Sequence, residues 1–157
     1  MPKTAEATRL VADADVLAAE LFIDGPAREV LDLIRTHTWL ELVASERLLT
    51  ETTEVIRRLG DASLAAMWRA EIEPTVTLVD HPSRDHPALA SAYAAEAAHL
   101  LTYDTQLTST STGVAMRRAM PISVRTPDAF LAVVDIASLY EATFDDEYPG
   151  PDAALQD

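Results

Sequence analysis

Short apolar runs alternate with segments of helical character along most of the chain, and this alternation limits the fold more than any other feature. One helical segment, over 46–59, starts after Ser45 and stops at Gly60, and both residues are of types that favour helix ends. Strands that alternate with helices form a parallel sheet covered on both faces. We therefore predict an α/β fold, a three-layer α/β/α sandwich with a central parallel sheet of about five strands. The predicted strands are residues 9–13, 39–44, 75–79, 98–104 and 121–124.

The chain of 157 residues, 48% of them hydrophobic, is the size of one domain with a sizeable core. We predict a single domain over residues 9–143, preceded by a flexible N-terminus at 1–8. Residues 144–157 contain five acids and no basic residue, so we expect an acidic, disordered tail there. Apolar runs stay well short of the ~20 residues that span a bilayer, and the N-terminus lacks the apolar core of a signal peptide. We therefore expect a cytoplasmic protein without a membrane partner.

The charge of the chain is unusual, with 26 acidic against 12 basic residues, and Lys3 is the only lysine. Such a composition resembles that of proteins from salt-loving archaea, whose cytoplasm holds concentrated salt. A net charge of -14 would repel nucleic acid in dilute salt. At about 1 M salt, however, the screening length is only about 3 Å. We therefore predict a halophilic, haloarchaeal protein, for which an RNA substrate is not excluded.

Carboxylates at the ends of predicted strands indicate a functional site. Asp13 follows the first strand and Asp104 the fourth, and the carboxyl ends of parallel strands meet at one edge of the sheet. A buried carboxylate needs a cation or a proton to offset its lost hydration. Because cysteine is absent, disulfides and thiolate chemistry are excluded and any metal must be held by oxygen or imidazole. We expect Asp15 to cap the helix after the first strand.

Two further acids belong to this set only if the fold brings them to the same edge. Asp85 precedes a helix of small residues, where it can equally be a plain N-cap. Glu51 lies at the edge of the apolar stripe of the helix over 46–59, which predicts a half-buried carboxylate, but it can equally be a solvated partner of Arg47. For Asp104 the alternative is an ordinary turn residue.

Four motifs follow one another along the chain. They are Asp13-Ala14-Asp15-Val16-Leu17, Ser45 with Glu51 six residues later, Asp85 before the small-residue helix, and Leu100-Leu101-Thr102-Tyr103-Asp104. In this order and spacing they resemble the motifs of the PIN domain, a family of metal-dependent nucleases with an α/β/α sandwich around a parallel sheet. The resemblance covers residues 9 to about 134. The chain departs from the family pattern at Gln106, where many members carry a second Asp or Asn.

The resemblance implies a metal-dependent endoribonuclease that hydrolyses RNA phosphodiester bonds, either as a toxin or in RNA processing. Four carboxylates held together raise one another's pKa unless a cation is present, and hard oxygen ligands suit Mg²⁺ or Mn²⁺. Asp15 and Thr102 would orient the ligands. The implied partners are RNA, an antitoxin or another protein, and a second copy of the chain in a homodimer. The catalytic residues and metal ligands so implied are Asp13, Glu51, Asp85 and Asp104. Candidate phosphate contacts are Arg84, Arg117 and Arg118.

A catalytically inactive PIN-like module that binds RNA or a protein partner is the alternative, because the acids could remain as a structural metal site. Phosphatases of the haloacid-dehalogenase type and response-regulator receivers also place aspartates at strand ends. Both classes use a lysine near the phosphoryl group, whereas Lys3 precedes the first predicted strand. The nuclease and the binding module are therefore the two main hypotheses.

Overall fold

A computed structural model describes residues 6–81, 86–108 and 122–155. Its strands are β1 (Glu6–Ala12), β2 (Glu41–Ser45), β3 (Val76–Val79), β4 (Ala97–Leu101) and β5 (Ser123–Arg125). The helices in these ranges are α1 (Ala14–Phe22), α2 (Pro26–Thr36), α3 (Glu46–Leu59), α4 (Ala62–Ile72), α5 (Pro87–Ala95), α6 (Thr105–Thr108), α7 (Pro127–Val133) and α8 (Ile136–Phe144). None of these described helices is long and apolar enough to cross a membrane.

The five strands form one sheet in the order β3-β2-β1-β4-β5, and every pair of neighbours is parallel. The first strand is central, because Leu10 pairs with Leu42 of β2 on one side and with His99 of β4 on the other. Helices flank this sheet, as the alternating pattern of the sequence predicts. The predicted α/β fold, a three-layer sandwich around a parallel sheet of five strands, is confirmed.

The core lies between the sheet and the helices that cover it. Leu10, Val11 and Ala12 of β1 are at most 1% exposed, as expected for a central strand covered on both faces. On α3 the apolar stripe is part of the core, and Leu48 is fully buried. Ser45 caps this helix, since its hydroxyl accepts a hydrogen bond from the N–H of Leu48 at 3.0 Å. The end of β2 therefore runs directly into α3.

The N-terminal boundary differs from the prediction, because residues 6–8 belong to β1 instead of a flexible segment. Glu6 pairs with Ala97 of β4, and its N–H donates to the carbonyl of Glu96 at 2.6 Å. Of residues 6–8 only Ala7 is apolar, so no apolar pattern marks them as a strand. Backbone pairing with β4 extends β1 beyond its apolar part.

The C-terminal segment also differs from the prediction of a disordered tail. Its described part packs near the start of β2, where the carboxylate of Asp152 accepts hydrogen bonds from the N–H and the hydroxyl of Thr38 at 2.8 and 2.6 Å. The carbonyl of Thr36 accepts from the N–H of Asp152 at 2.9 Å, and Tyr148 shares a hydrogen bond with the buried His37. Acidic composition disfavours a core, but it does not exclude specific polar contacts of this kind.

Replacing Leu48 by alanine should lower the free energy of unfolding by about 2–5 kcal/mol, because the fully buried side chain leaves a cavity. Leu59 lies on the same helix but is 66% exposed, and it provides a matched control. Its replacement by alanine should change the unfolding free energy by no more than about 0.5 kcal/mol. Chemical denaturation of both variants in the same salt measures the difference. Equal effects at the two positions would contradict the packing of α3.

Candidate functional site

The candidate site lies where the order of the strands reverses. From β1 the chain proceeds to β2 and β3 on one side of the sheet and then crosses to β4 and β5 on the other. In open α/β sheets, ligands bind in the crevice at such a switch point, outside the carboxyl ends of the strands. Asp13 directly follows β1, and Asp104 lies shortly after the end of β4. Both acids therefore lie at the same edge of the sheet.

Asp13 is held in place by two hydrogen bonds. Its side chain is 5% exposed and caps α1, since Oδ1 accepts from the N–H of Ala14 at 2.8 Å. The second oxygen, Oδ2, accepts from the hydroxyl of Thr102 at 2.8 Å. The oxygen of the same hydroxyl accepts from the N–H of Asp104 at 3.0 Å. Thr102 therefore links Asp13, which follows β1, to the chain at Asp104, which follows β4.

Asp15 was expected to cap α1, but the structure gives that role to Asp13. The N–H of Asp13 still donates to the carbonyl of Leu101 at 2.8 Å, so extended pairing continues to Asp13 and the helix begins directly after it. Asp15 then lies in the first turn, where its Oδ2 accepts from the N–H of Tyr103 at 3.1 Å. Its other oxygen, Oδ1, is buried and has no hydrogen-bond partner in the described part of the chain.

The electrostatic environment of Asp15 shows that the acids of this edge act on one another. The pKa of Asp15 is raised to about 6, mainly by burial, then by the charge of Asp13, and to a smaller extent by the charge of Asp104. The N–H groups of Tyr103 and Val16 oppose the shift because they favour the ionised form. A positive charge beside these acids would favour ionisation of Asp15.

Glu51 interacts with the same group of acids from α3. Its side chain is exposed, whereas the sequence predicts a half-buried carboxylate. Partial burial of the carboxyl and, after it, the charge of Asp13 nevertheless raise the pKa of Glu51, while His86 and Arg47 lower it. A helical wheel gives the direction of a side chain but not the extent to which neighbouring elements cover it. Glu51 is therefore close enough to Asp13 for their charges to interact.

The remaining predicted ligand, Asp85, lies outside the described residues, as do the predicted phosphate contacts Arg84, Arg117 and Arg118. His86 marks the start of α5 and lies near Glu51, since its charge affects the pKa of that acid. Its Nδ1 atom is buried without a hydrogen-bond partner in the described ranges.

No three Asp, Glu or His side chains in residues 6–81, 86–108 and 122–155 are arranged so that they could hold a metal ion. The chemistry of the donors nevertheless suits a hard divalent cation, because they are carboxylate oxygens and Oδ1 of Asp15 is buried and unpaired within those ranges. Asp85 lies outside them. The described acids by themselves thus do not form a metal-binding group.

Two cavities adjoin this edge of the sheet, and neither was predicted. One, of about 390 Å³, lies at the carboxyl ends of β2 and β3, and its lining includes Ser45, Arg47 and His81. Ser45 Oγ lies 2.8 Å from Nε2 of His81. The other, of about 190 Å³, is mainly apolar and includes Tyr103 in its lining. Both cavities could have been anticipated from residues that lie at or just after the end of a strand, since Ser45 ends β2 and Tyr103 follows β4.

The raised pKa of Asp15 predicts how stability depends on pH. Its folded value of about 6 lies above the ordinary value of 3.8, so between these two pH values the folded protein binds more protons than the unfolded chain. Ionisation of Asp15 therefore destabilises the folded state increasingly as the pH rises through that window. Asp15→Asn retains a carbonyl that can accept from Tyr103, and it should gain stability relative to the wild type as the pH rises from about 4 to about 7.

Chemical denaturation at several pH values measures this gain. Asp61→Asn makes the same acid-to-amide change at the exposed cap of α4. It measures how much the loss of an exposed carboxylate alone changes the free energy of unfolding with pH. The gain at Asp15 should exceed that at Asp61. A difference between wild type and Asp15→Asn that stays constant with pH would contradict the raised pKa.

A comparison with curated proteins finds no match. A family model described as a family of unknown function, DUF7384, matches residues 4–156 of the 157 residues. The match includes every strand and helix of the described structure. The chain therefore belongs to DUF7384, a family of unknown function.

Proposed function

We propose that this protein is a metal-dependent endoribonuclease whose catalytic acids lie at the switch point of the sheet. One observation carries the proposal: Asp13 and the chain at Asp104 are joined through the hydroxyl of Thr102, and the charges of both acids raise the pKa of Asp15. The order of the motifs, which resembles that of PIN-type nucleases, supports the same interpretation. The proposal therefore rests on position and charge as well as on resemblance.

Electrostatics favours a cation at this place. Taking a carboxylate out of water costs several kcal/mol, and Asp13 is 5% exposed. Burial is the largest cause of the raised pKa of Asp15, and the charges of Asp13 and Asp104 both add to it. A divalent cation would relieve this repulsion, and oxygen donors without thiolate suit Mg²⁺ or Mn²⁺.

Within this proposal the acids have different tasks. When bound, the ion would supply positive charge for the phosphate and lower the pKa of an attacking water. Thr102 keeps the carboxylate of Asp13 in a fixed relation to the chain at Asp104, and the N–H of Tyr103 orients Asp15. The residues that would hold the ion, directly or through water, are Asp13, Glu51, Asp85 and Asp104.

RNA is the substrate class that the resemblance to PIN-type nucleases favours. The net charge of -14 opposes binding of a polyanion in dilute salt, and concentrated salt screens most of that repulsion. We therefore place the activity in the salt-rich cytoplasm of a haloarchaeon, with Arg84, Arg117 and Arg118 as phosphate contacts. A toxin and an RNA-processing enzyme are two forms of this same activity.

A specific observation favours a second candidate, a PIN-like module that has lost catalysis and binds RNA or a protein partner. The described residues contain no group of three side chains that could hold a metal ion. Such a module would keep the fold and the acidic edge of the sheet without cleaving RNA. The two candidates differ in one measurable property, metal-dependent hydrolysis.

We expect the wild-type protein to cleave a mixed pool of RNA in concentrated KCl with Mg²⁺ or Mn²⁺, and a chelator to abolish the cleavage. Asp13→Asn and Asp85→Asn should each lower the rate by more than about 100-fold, because removal of a ligand costs more than removal of a group that only orients one. Asp61→Asn makes the same chemical change at an exposed helix cap on another part of the fold and should leave the rate unchanged.

A parallel titration with Mn²⁺ by isothermal calorimetry separates binding from chemistry. The nuclease proposal predicts that Asp13→Asn weakens Mn²⁺ binding as well as cleavage. Wild-type cleavage rates in both the Asp13 and the Asp85 variants would overturn the proposal. Binding of Mn²⁺ or RNA by the wild type without any cleavage would favour the inactive module.

A further inference from the structure

The cavity of about 190 Å³ beside the acids has no task in the proposed chemistry. A protein cavity of about 150 Å³ is large enough to hold a benzene ring, so this one has room for a planar ring of similar size. Its lining is mainly apolar, with a single aromatic ring. The lining residues are Ala19, Ile23, Gly25, Pro26, Ala27 and Tyr103.

Tyr103 connects this cavity to the acidic edge of the sheet. Its N–H donates to Oδ2 of Asp15 at 3.1 Å, and the next residue in the chain is Asp104. Tyr103 lines the cavity and is 40% exposed, and Ile23 of the same lining is 61% exposed. The backbone of Tyr103 is therefore anchored at the acids while its ring is accessible to a ligand.

The charge of the protein restricts how it can gain affinity for RNA. The described residues that line the cavity include no charged side chain, and the whole chain carries a net charge of -14. Concentrated salt further weakens any attraction to phosphate. Stacking of a base on an aromatic ring does not depend on such attraction and contributes about 5- to 150-fold in affinity per base.

We propose that the cavity walled by Tyr103 binds one unpaired nucleobase next to the phosphodiester bond that lies at Asp13 and Asp104. This inference rests on the proposed nuclease function and narrows its substrate to single-stranded segments of RNA. A base that is paired in a duplex cannot enter the cavity, because its ring is stacked and its edge is occupied. Stacking of the base on the ring of Tyr103 would provide affinity for RNA that the acidic surface does not provide.

Two variants test the cavity from opposite directions. Tyr103→Ala removes the ring, whereas Gly25→Leu adds an apolar side chain to the lining and leaves residue 103 a tyrosine. An added Cβ at Gly25 meets only Cγ2 of Ile23, at 3.8 Å, so a side chain can begin there without a close contact at Cβ. Both variants should raise the KM for a fluorescently labelled oligouridylate by about 5- to 150-fold, with a much smaller change in kcat.

Two controls isolate the ring from other effects. Tyr103→Phe keeps the aromatic face and should retain the wild-type KM. Tyr93→Ala removes a tyrosine that is 42% exposed on α5 and absent from the cavity lining, and it should also retain that KM. A KM for Tyr103→Phe as high as that for Tyr103→Ala would overturn the stacking proposal.

Abasic substitution at each position of the oligouridylate completes a double-mutant cycle. At one position, loss of the base should weaken binding of the oligomer to the wild type, as measured by fluorescence anisotropy. The same abasic oligomer should bind Tyr103→Ala about as well as the intact one does. Equal binding of all abasic oligomers would overturn the inference. So would a change in sedimentation of Tyr103→Ala with unchanged RNA binding, because the cavity would then be a protein contact.

The anisotropy measurement distinguishes the two proposals. If the wild type binds the oligomer through this cavity but cleaves no RNA with Mn²⁺, the nuclease proposal fails and the cavity is supported as a base-binding site. If the wild type cleaves RNA and both cavity variants retain its KM, only the inference about the cavity fails.

Discussion

The buried charge of Asp13 is the constraint on which the rest of the site depends. This one residue continues the pairing of β1 with Leu101, caps α1 and accepts a hydrogen bond from Thr102. Both donors to its carboxylate are neutral groups, which replace part of the lost hydration but leave the negative charge in place. Asp15 and Asp104 lie nearby, and the charges of Asp13 and Asp104 both raise the pKa of Asp15. A cation at this edge is the simplest way to stabilise such an arrangement.

The order of the strands explains why the acids are brought together. Because β1 is central and the chain crosses to β4 after β3, the loops after β1 and β4 diverge and leave a crevice between them. The apolar residues of β1 stabilise the sheet, and Asp13, which follows them, lies at this edge and caps α1. The same topology thus forms the core and positions the acids, and burial together with the charges of Asp13 and Asp104 raises the pKa of Asp15.

The fold could be predicted because apolar runs and helical periodicity indicate which residues of each strand and helix are buried. The positions of Asp13 and Asp104 could be predicted for the same reason, since a strand end is visible as the end of an apolar run. Other features depend on contacts between distant segments, which local patterns do not record. The choice between Asp13 and Asp15 as the cap of α1 depends on pairing with Leu101, and the contact of Asp152 with the chain near β2 depends on tertiary packing. The two cavities likewise arise only when separate loops are assembled.

A crystal structure determined with Mn²⁺ tests the central claim most directly. Anomalous scattering should locate an ion at the carboxyl ends of β1 and β4, about 2.1 Å from oxygens of Asp13 and of at least two of the other proposed ligands, Glu51, Asp85 and Asp104. Placement of Arg84, Arg117 or Arg118 against these carboxylates, with no ion between them, would contradict the metal site and the mechanism built on it.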